Sequence, residues 1–415
     1  MYAAVVNTPF ISLKNVGALQ GSPLYPHVER YVTLLRAEGY KVRTLMLHVY
    51  LFRRLHRWLR RRRHVLETIN EKILADFLKK QRPHDSHEGA PQALHRLLEI
   101  LRGAGAAPAA EPVSRTSAQC LTEEYRTFLR VERGVAAKTV ENYSRYVERF
   151  LTDRFGAGQV DLRQLMLTEV MGFVQRTARE RNQIYTKGLV IALRSFLRYL
   201  HYRGKIETDW PASVPVVAHW RLTGLPKRLP AETVRRILDG CDQTTALGRR
   251  DHAILLLLAR LGLRAGEIAR MQLEDVDWEN ARLTVRAKKG RGWARMPLPS
   301  EVGRAIARYL RHDRPACACR NLFVRIVAPH VPLNNSAVVG LRVRAAMKRA
   351  GIQSARKGAH VFRHSLASEM LRQGASLDEI GQVLRHHDHD TTAIYAKVDL
   401  NALRRLAVPL PGGAK

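Results

Sequence analysis

Apolar residues recur at intervals of three and four along most of this chain, and that spacing predicts α-helices. The first such segments are VERYVTLLRAEGY, TLMLHVYLFRRLHRWL and ETINEKILADFLKK, between residues 27 and 80. A second helical block runs from residue 118 to about 203. The pattern expected of strands is confined to RLTVRA (282–287) and ARMPLP (294–299), which a basic turn joins. We therefore predict a mainly α protein with a small antiparallel sheet.

Two stretches interrupt the helical pattern and indicate linkers. Residues 103–117 are rich in Ala, Gly and Pro, and residues 204–230 contain four prolines. The predicted domains are a helical region at 1–102, a helical domain at 118–203 and a sheet-containing domain at 231–400, followed by a tail at 401–415.

The first two helical blocks share a weak internal repeat. YVTLLRAEGYKVRT (31–44) resembles YRTFLRVERGVAAKT (125–139) with one residue inserted, and both continue into a helix that contains aromatic residues. We interpret residues 1–102 as an added arm or as a duplicated copy of the second block.

The charge of the chain narrows the class of partner. Its 415 residues include 70 Lys and Arg against 37 Asp and Glu, a net charge of +33. Such an excess favours polyanionic partners, nucleic acid first among them. The alternative is an ordinary basic protein from an arginine-rich proteome.

Cysteine use and hydropathy favour the cytoplasm. The four cysteines, Cys120, Cys241, Cys317 and Cys319, have no zinc-binding spacing, which suits free thiols in a reducing compartment. The first residues do not read as a signal peptide, and the longest apolar run, AILLLLA (253–259), is too short to span a membrane.

Two short motifs place cations where they suit a phosphate group. In LGLRAGEIARM, Gly262 ends one helix and Arg264 begins the next, with Glu267 on the same face to orient it. In HVFRH, His360 and Arg363 share a helical face. Each motif also has a purely structural interpretation. Arg264 and Glu267 could form an ordinary surface ion pair, and His364 of HVFRH could be an ordinary helix residue. The basic turn KKGRGW, with Lys288 and Lys289, is by itself a generic hairpin tip.

The stretch HHDHDTTAIY (386–395) suggests either a metal site or a histidine and a tyrosine that serve one site. His386 and Tyr395 are nine residues apart, so a continuous helix would put them on opposite faces. DHD supplies a break, and Asp390 is a good N-cap for a helix that starts at Thr391. Because metal clusters usually show helical or alternating spacing, we favour the second interpretation.

In this order, the motifs resemble those of the tyrosine recombinase (phage integrase-like) family. GLRAGE resembles the first arginine box of the family, HVFRH its HxxR box and LRHHDHDTTAIY its LGHxxxxTTxxY box, and the basic hairpin carries its lysine. The resemblance covers roughly residues 118–400, because GVAAKTVENYSRYVERFL also resembles the core-binding domain. There are two departures: Arg385 stands where the family usually has Gly, and Phe-Arg-His-Ser (362–365) replaces Leu-Arg-His-Thr.

The resemblance implies a site and a reaction. Tyr395 would attack a scissile phosphate and form a 3′-phosphotyrosyl bond, and Lys289, favoured over Lys288, would protonate the leaving 5′-oxygen. Arg264, Arg363 and His386 would bind the phosphate oxygens, His360 would take the proton of the tyrosine, and Glu267 would support Arg264. No metal and no other cofactor is implied. Further DNA contacts are predicted at Lys138, Thr139, Arg145, Lys187, Arg194, Lys288 and Arg291.

The resemblance also implies the setting. We expect a bacterial, cytoplasmic, nucleoid-associated recombinase of a mobile element. Its expected partners are double-stranded DNA, other copies of itself in a tetramer on that DNA, and partner recombinases, and no membrane. The alternatives are a type IB topoisomerase-like nicking-closing enzyme, a non-catalytic DNA-binding protein on the same fold, and a metal-dependent phosphoesterase built on HHDHD.

Overall fold

The computed structural model forms two compact units. One comprises residues 110–223, and the other combines residues 1–109 with residues 224–415. The structure describes residues 19–81, 89–110, 115–208, 210–214, 228–286, 292–333, 335–353, 358–386 and 390–398.

The N-terminal module, residues 25–103, is a bundle of four helices. Its apolar residues recur at helical spacing, so each helix turns one stripe towards a common core that includes Tyr31, Phe52, Phe77 and Leu97. The helices are α1 Tyr25–Ala37, α2 Val42–Arg61, α3 Glu71–Lys79 and α4 Ala90–Gly103.

The unit of residues 110–223 is also built on four helices. Its core contains Tyr125, Phe150, Phe173 and Phe196, and the side chain of Asn182 caps its last long helix. The helices are α5 Ser117–Thr127, α6 Ala137–Phe155, α7 Leu167–Glu180 and α8 Gln183–Tyr202, with a π-helical turn at Phe128–Glu132 after α5.

The remaining helices belong to residues 228–398. They surround the largest core of the protein, which is centred on the strongly apolar helix AILLLLA. The helices are α9 Ala231–Asp239, α10 Ala246–Leu261, α11 Ala265–Arg270, α12 Ser300–His312, α13 Ser336–Arg349, α14 His360–Arg372, α15 Leu377–Leu384 and α16 Asp390–Ala393.

A small antiparallel sheet lies between α11 and α12. Its strands, in spatial order, are β1 Val276–Asp277, β2 Arg282–Arg286 and β3 Trp293–Pro297. Leu283 pairs with Val276 on one side and with Met296 on the other. This register turns buried Leu283 and Val285 to the core and leaves Arg282 and Arg286 exposed.

The predicted fold class is confirmed: a mainly α protein with a small antiparallel sheet. The two predicted strands are shifted or shortened by one or two residues, and β1 was not predicted. The segment NLFV forms isolated bridges at Asn321 and Val324 rather than a strand. In the parts of the chain that the structure describes, no helix is long and apolar enough to cross a lipid bilayer.

Candidate active site

Arg264 stands at the start of α11, immediately after the chain has turned at Gly262. The carboxylate of Glu267 accepts hydrogen bonds from the backbone N–H of Arg264 at 2.8 Å and from its guanidinium at 2.9 Å. The Glu267 side chain is 7% exposed and that of Arg264 is 38% exposed. The guanidinium is therefore oriented from the protein side while part of it still faces solvent.

The turn at Gly262 requires glycine for two reasons. Its φ is +56°, in the left-handed region, and a Cβ atom there would lie 2.7 Å from the side chain of Leu384. This close approach brings the end of α10 against the end of α15.

Arg363, on α14, joins these two helix ends. Its side chain is buried and donates hydrogen bonds to the carbonyl oxygens of Gly262, at 2.5 Å, and of Leu384. Burial and the charges of Arg264 and Arg385 lower the pKa of Arg363 to about 10, so it is still a cation at neutral pH. Carbonyl partners orient a guanidinium without neutralising it, so its charge is kept for an anion.

Arg385 ends α15 in the left-handed conformation, with φ +55°. Its guanidinium bonds to Glu267 at 3.0 Å, and the two side chains are 14% and 7% exposed. Glu267 therefore serves Arg264 and Arg385 together. Burial would raise the pKa of Glu267, but hydrogen bonds from Arg264 and the charges of Arg385 and Arg264 hold it below its ordinary value.

Tyr395 follows α16 in a single 3₁₀ stretch, Ile394–Val398. Only 1% of its surface is exposed, and its hydroxyl lies 2.8 Å from Nδ1 of His364, which is one residue beyond Arg363 on α14. Its ring belongs to a small apolar cluster with Ile380 and Leu384 of α15. Burial raises the pKa of the phenol to about 12, although the charge of Arg363 opposes this shift.

His386 links the end of α15 to the helix before Tyr395. Its Nδ1 lies 2.7 Å from Oγ1 of Thr392, which is buried, and its backbone N–H donates to the carbonyl of Gly381. Burial, followed by the charges of Arg363, Arg264 and other cations, lowers the pKa of His386 to about 4. It is therefore neutral at physiological pH in the free protein.

His360 begins α14 one helical turn before Arg363. The residue is exposed as a whole, but the protein around its ring lowers its pKa, and the charges of Arg363 and Arg264 lower it further. The structure thus gathers five of the six predicted catalytic residues into one electrostatic neighbourhood: Arg264, His360, Arg363, His386 and Tyr395.

Comparison with known proteins decides the family. Residues 227–401 match the profile "Phage integrase family", and residues 122–204 match "Phage integrase, N-terminal SAM-like domain". An integrase/recombinase of Sinorhizobium fredii (strain NBRC 101917 / NGR234), y4rA, is 44% identical over 362 residues, which is 86% of this chain and 87% of that protein. The chain belongs to the phage integrase family. It is a tyrosine site-specific recombinase.

Two further comparisons agree with this assignment. Tyrosine recombinase XerA of Thermococcus onnurineus (strain NA1) is 33% identical over 286 residues, 68% of this chain and 92% of that protein. The solved structure of XerH bound to palindromic difH substrate in a post-cleavage complex has a TM-score of 0.54 at 15% identity, covering 87% of this chain and 95% of that one. At 15% identity, this likeness shows only that the two proteins share a fold.

Three predicted residues of the recombinase, Lys288, Lys289 and Arg291, lie outside the described residues. In the sequence they fall between β2 and β3, and their predicted roles stay predictions. His387, Asp388 and His389 of the HHDHD stretch lie outside as well. Among the residues that the structure does describe, no three His, Cys, Asp or Glu side chains are grouped as a metal site would require.

The other predicted DNA contacts lie on α6 and α8. Lys138, Thr139 and Arg145 are on α6, whereas Lys187 and Arg194 are on α8. Lys138 pairs with Glu141 at 2.8 Å, and the Arg145 guanidinium lies 5.8 Å from the ring centroid of Tyr146. A Cβ atom at Gly188, next to Lys187, would lie 2.9 Å from the Tyr146 hydroxyl, so the two helices pack closely at this point.

Sequence reasoning did not anticipate three contacts of the recombinase site. It assigned the phenol to His360, whereas in the structure the hydroxyl of Tyr395 bonds to His364. It noted Arg385 only as a departure from the family, and it gave Thr392 no role. The change from Gly to Arg at 385 was a signal for the second contact. A non-glycine residue is strained in the left-handed conformation, and it persists where contacts of its side chain hold it there.

Proposed function

We propose that this recombinase cuts and rejoins duplex DNA through a 3′-phosphotyrosyl intermediate on Tyr395, without metal or ATP. The observation that carries the proposal is the phenol of Tyr395 held 2.8 Å from His364, beside the guanidinium of Arg363, which donates to two backbone carbonyls of the described residues. XerH has been solved in a complex with its difH substrate after cleavage, and this supports duplex DNA as the substrate of this chain.

The chemistry begins with the proton of the phenol. With a pKa of about 12, Tyr395 is protonated at neutral pH and is a poor nucleophile. A neutral His364 with its lone pair on Nδ1 can accept that proton as the phenolic oxygen attacks phosphorus. The new P–O bond to Tyr395 forms while the bond from phosphorus to the 5′-oxygen breaks, and the leaving oxygen takes a proton, the role predicted for Lys289.

The arginines supply the positive charge that this transition state requires. Negative charge builds on the non-bridging phosphate oxygens, and preorganised cations there usually contribute most of the catalysis. Arg264 is held by a carboxylate and is partly exposed, whereas Arg363 is held by backbone carbonyls. His386, neutral at pH 7, would add a hydrogen bond from its protonated ring nitrogen.

Metal and ATP are unnecessary in this scheme. Fixed guanidinium groups take the place of a Lewis acid, and the phosphotyrosyl ester keeps the energy of the cleaved phosphodiester for rejoining. Because only 1% of the surface of Tyr395 is exposed, its phenol must be uncovered, with His364 still beside it, before a phosphate can reach it. Binding of duplex DNA is the event that would uncover it.

We also propose the assembly and its setting. Strand exchange between two duplexes needs four active tyrosines, which corresponds to a tetramer on DNA. Related recombinases would serve as partners at a mobile element.

The test is covalent trapping on nicked duplexes made from the DNA that flanks the gene. We expect native protein, with EDTA present, to give a protein–DNA adduct that survives denaturant, and Tyr395→Phe to give none. Tyr395→Phe keeps the ring and its packing, so its thermal unfolding should stay close to that of native protein. An adduct that persists in Tyr395→Phe, or that disappears in EDTA, would overturn the proposal.

A further inference from the structure

The N-terminal module repeats the helical unit of residues 110–223 element by element. Each consists of a helix, a turn at a glycine with positive φ (Gly39 and Gly134), a long helix, a 3₁₀ turn (Leu66–Thr68 and Leu162–Gln164) and two further helices. The weak repeat predicted from sequence covers only the first of these junctions. The structure extends it to all four helices.

Buried positions confirm the correspondence at an almost constant spacing of 94 to 96 residues. Tyr31 and Tyr125, 94 apart, are 1% and 0% exposed. Phe77 and Phe173, 96 apart, are both 3% exposed. Further buried pairs are Leu35 and Leu129, Leu45 and Val140, Phe52 and Val147, Leu55 and Phe150, Ile69 and Leu165, Leu74 and Val170, Ala93 and Leu189, Leu97 and Leu193, and Leu101 and Leu197.

The surfaces of the two long helices have diverged. From residue 42 to 63, α2 and its end contain eight arginines and no acidic residue. The corresponding α6, residues 137–155, has four basic and three acidic residues. Lys138 pairs there with Glu141, and Arg154 pairs with Glu169.

Arginines concentrated at one end of a helix repel one another, apart from a modest benefit from the helix dipole. Arg57, Arg60 and Arg61 are all exposed. Among the residues that the structure describes, none of these three has a carboxylate within ion-pair distance. An anionic partner would relieve their mutual repulsion.

The arginines border an aromatic recess. A cavity of about 250 Å³ is lined by Arg57, Trp58 and Arg61 of α2 and by Phe77 and Lys80 at the end of α3. The Arg62 guanidinium lies 5.1 Å from the centroid of the Trp58 ring. The phosphate oxygens of duplex DNA are bound mainly by arginine and lysine side chains such as these.

We infer that the N-terminal module is a second duplex-DNA grip, which binds the phosphate backbone through the arginines at the C-terminal end of α2. It rests on the proposed function only in taking duplex DNA as the partner. Part of the surface predicted for α6 is kept in α2, because Arg43 and Thr44 stand at the positions of Lys138 and Thr139. One and two turns further on, α2 has the exposed apolar residues Met46 and Tyr50, and its arginines are concentrated at the other end of the helix.

The test uses full-length protein and a duplex of arbitrary sequence, because phosphate contacts do not depend on sequence. The variant is Arg57→Gln/Arg60→Gln/Arg61→Gln, and the matched control is Arg57→Lys/Arg60→Lys/Arg61→Lys. Each lost phosphate contact lowers the slope of log K against log salt by about 0.9. We expect the Gln variant to lose about 2 to 3 from that slope and the Lys variant to keep it.

A second control separates this surface from its neighbour on the same helix. Met46→Gln/Tyr50→Gln changes the exposed apolar residues and should leave the slope unchanged. An unchanged slope in the Gln variant of the arginines would overturn the inference. Loss of binding to phosphatidylserine vesicles, with duplex binding intact, would overturn it in favour of a membrane surface.

Adduct formation distinguishes failure of this inference from failure of the proposed function. At saturating DNA, the Gln variant of the arginines should form the Tyr395 adduct at the native rate. Tyr395→Phe should form none and should keep the native salt slope. A salt effect without any adduct in native protein would defeat the proposed chemistry and leave the second grip standing.

Discussion

The two halves of the active site are held in different ways. The cationic half consists of Arg264, Arg363 and Arg385. Arg264 and Arg385 bond to Glu267, and Arg363 donates to two backbone carbonyls, so each guanidinium is oriented by a hydrogen bond at a helix end. The nucleophilic half places Tyr395 after a four-residue helix, with His364 as the hydrogen-bond partner of its hydroxyl. The guanidinium groups that we propose bind phosphate are oriented in the free protein, whereas the proposed nucleophile is buried.

The two halves are therefore expected to contribute differently to folding stability and to catalysis. Removing a charge from the cationic half leaves buried carbonyl or carboxylate groups without a partner, which costs folding free energy. Removing the hydroxyl of Tyr395 breaks one hydrogen bond to the half-buried ring of His364 but keeps the packed phenyl ring, so it should cost less. Substitutions in the cationic half should therefore lower stability and activity together, and substitutions of the nucleophile should lower activity far more than stability.

The largest effect is expected for Arg363→Lys. A lysine cannot reach the carbonyls of Gly262 and Leu384 with the same fork, so unfolding free energy should fall by about 2 kcal/mol. Adduct formation in a single turnover should slow by about 100-fold or more. Urea unfolding measures the first effect, with the exposed Arg260→Lys as the control. Native stability in Arg363→Lys would show that the two carbonyl bonds contribute nothing and that the halves do not differ as described.

A smaller effect is expected for the ion pair between Glu267 and Arg385. We predict a coupling energy of about 1–2 kcal/mol in a double-mutant cycle of Glu267→Gln and Arg385→Asn, because both side chains are largely buried. Asparagine is chosen because it tolerates the left-handed conformation at this position. The matched cycle is Arg260→Gln with Glu301→Gln, an exposed pair that should give less than about 0.5 kcal/mol. Equal coupling in the two cycles would count against a special role for Arg385.

The smallest effect concerns the pH dependence of stability through His386. The pKa of His386 is about 4 in the folded protein, below its value in the unfolded chain. Near pH 6 the unfolded chain therefore binds a proton at His386 that the folded protein does not bind. Stability should therefore fall as the pH drops from about 6.5 towards 4. Between pH 7 and 5 the contribution of His386 should be about 1 kcal/mol after allowance for solvent screening.

His386→Asn isolates this contribution from the other histidines, because they remain in the variant. We expect its unfolding free energy to decline less than that of native protein over the same range of pH. Parallel declines in the two proteins would show that burial and the neighbouring cations do not hold His386 neutral.

The sequence predicted most of the fold because its patterns are local. Helical spacing of apolar residues located α12 at Ser300–His312 without error, and the basic turn between two strand-like segments located the β2–β3 hairpin. Strand β1 was not predicted because two residues are too few to show an alternating pattern of apolar and polar side chains. The full repeat of the N-terminal module escaped because its identity lies in which positions are buried, and these are occupied by different apolar residues.

In the site, contacts within one helix turn were predictable and contacts between helices were not. The bond between Arg264 and Glu267 follows from their separation of three residues. The bonds of Arg363 to Gly262 and Leu384 depend on how three helix ends meet, which no spacing reveals. His364 points at a different angle from Arg363 on α14, and the 3₁₀ stretch Ile394–Val398 contacts α14 on that side, which no spacing in the sequence reveals.

The paired cores of the two helical modules have a consequence for how the chain folds. Tandem copies of one fold are prone to exchange helices while both are incompletely formed. At Phe52 and Leu55 of α2 the large and the smaller side chain stand in the opposite order to Val147 and Phe150 of α6. If α6 took the place of α2, Val147 would leave a gap where Phe52 packs against Tyr31, and Phe150 would crowd the site of Leu55. The inverted sizes disfavour such an exchange, so that two near copies on one polypeptide can each fold with their own helices.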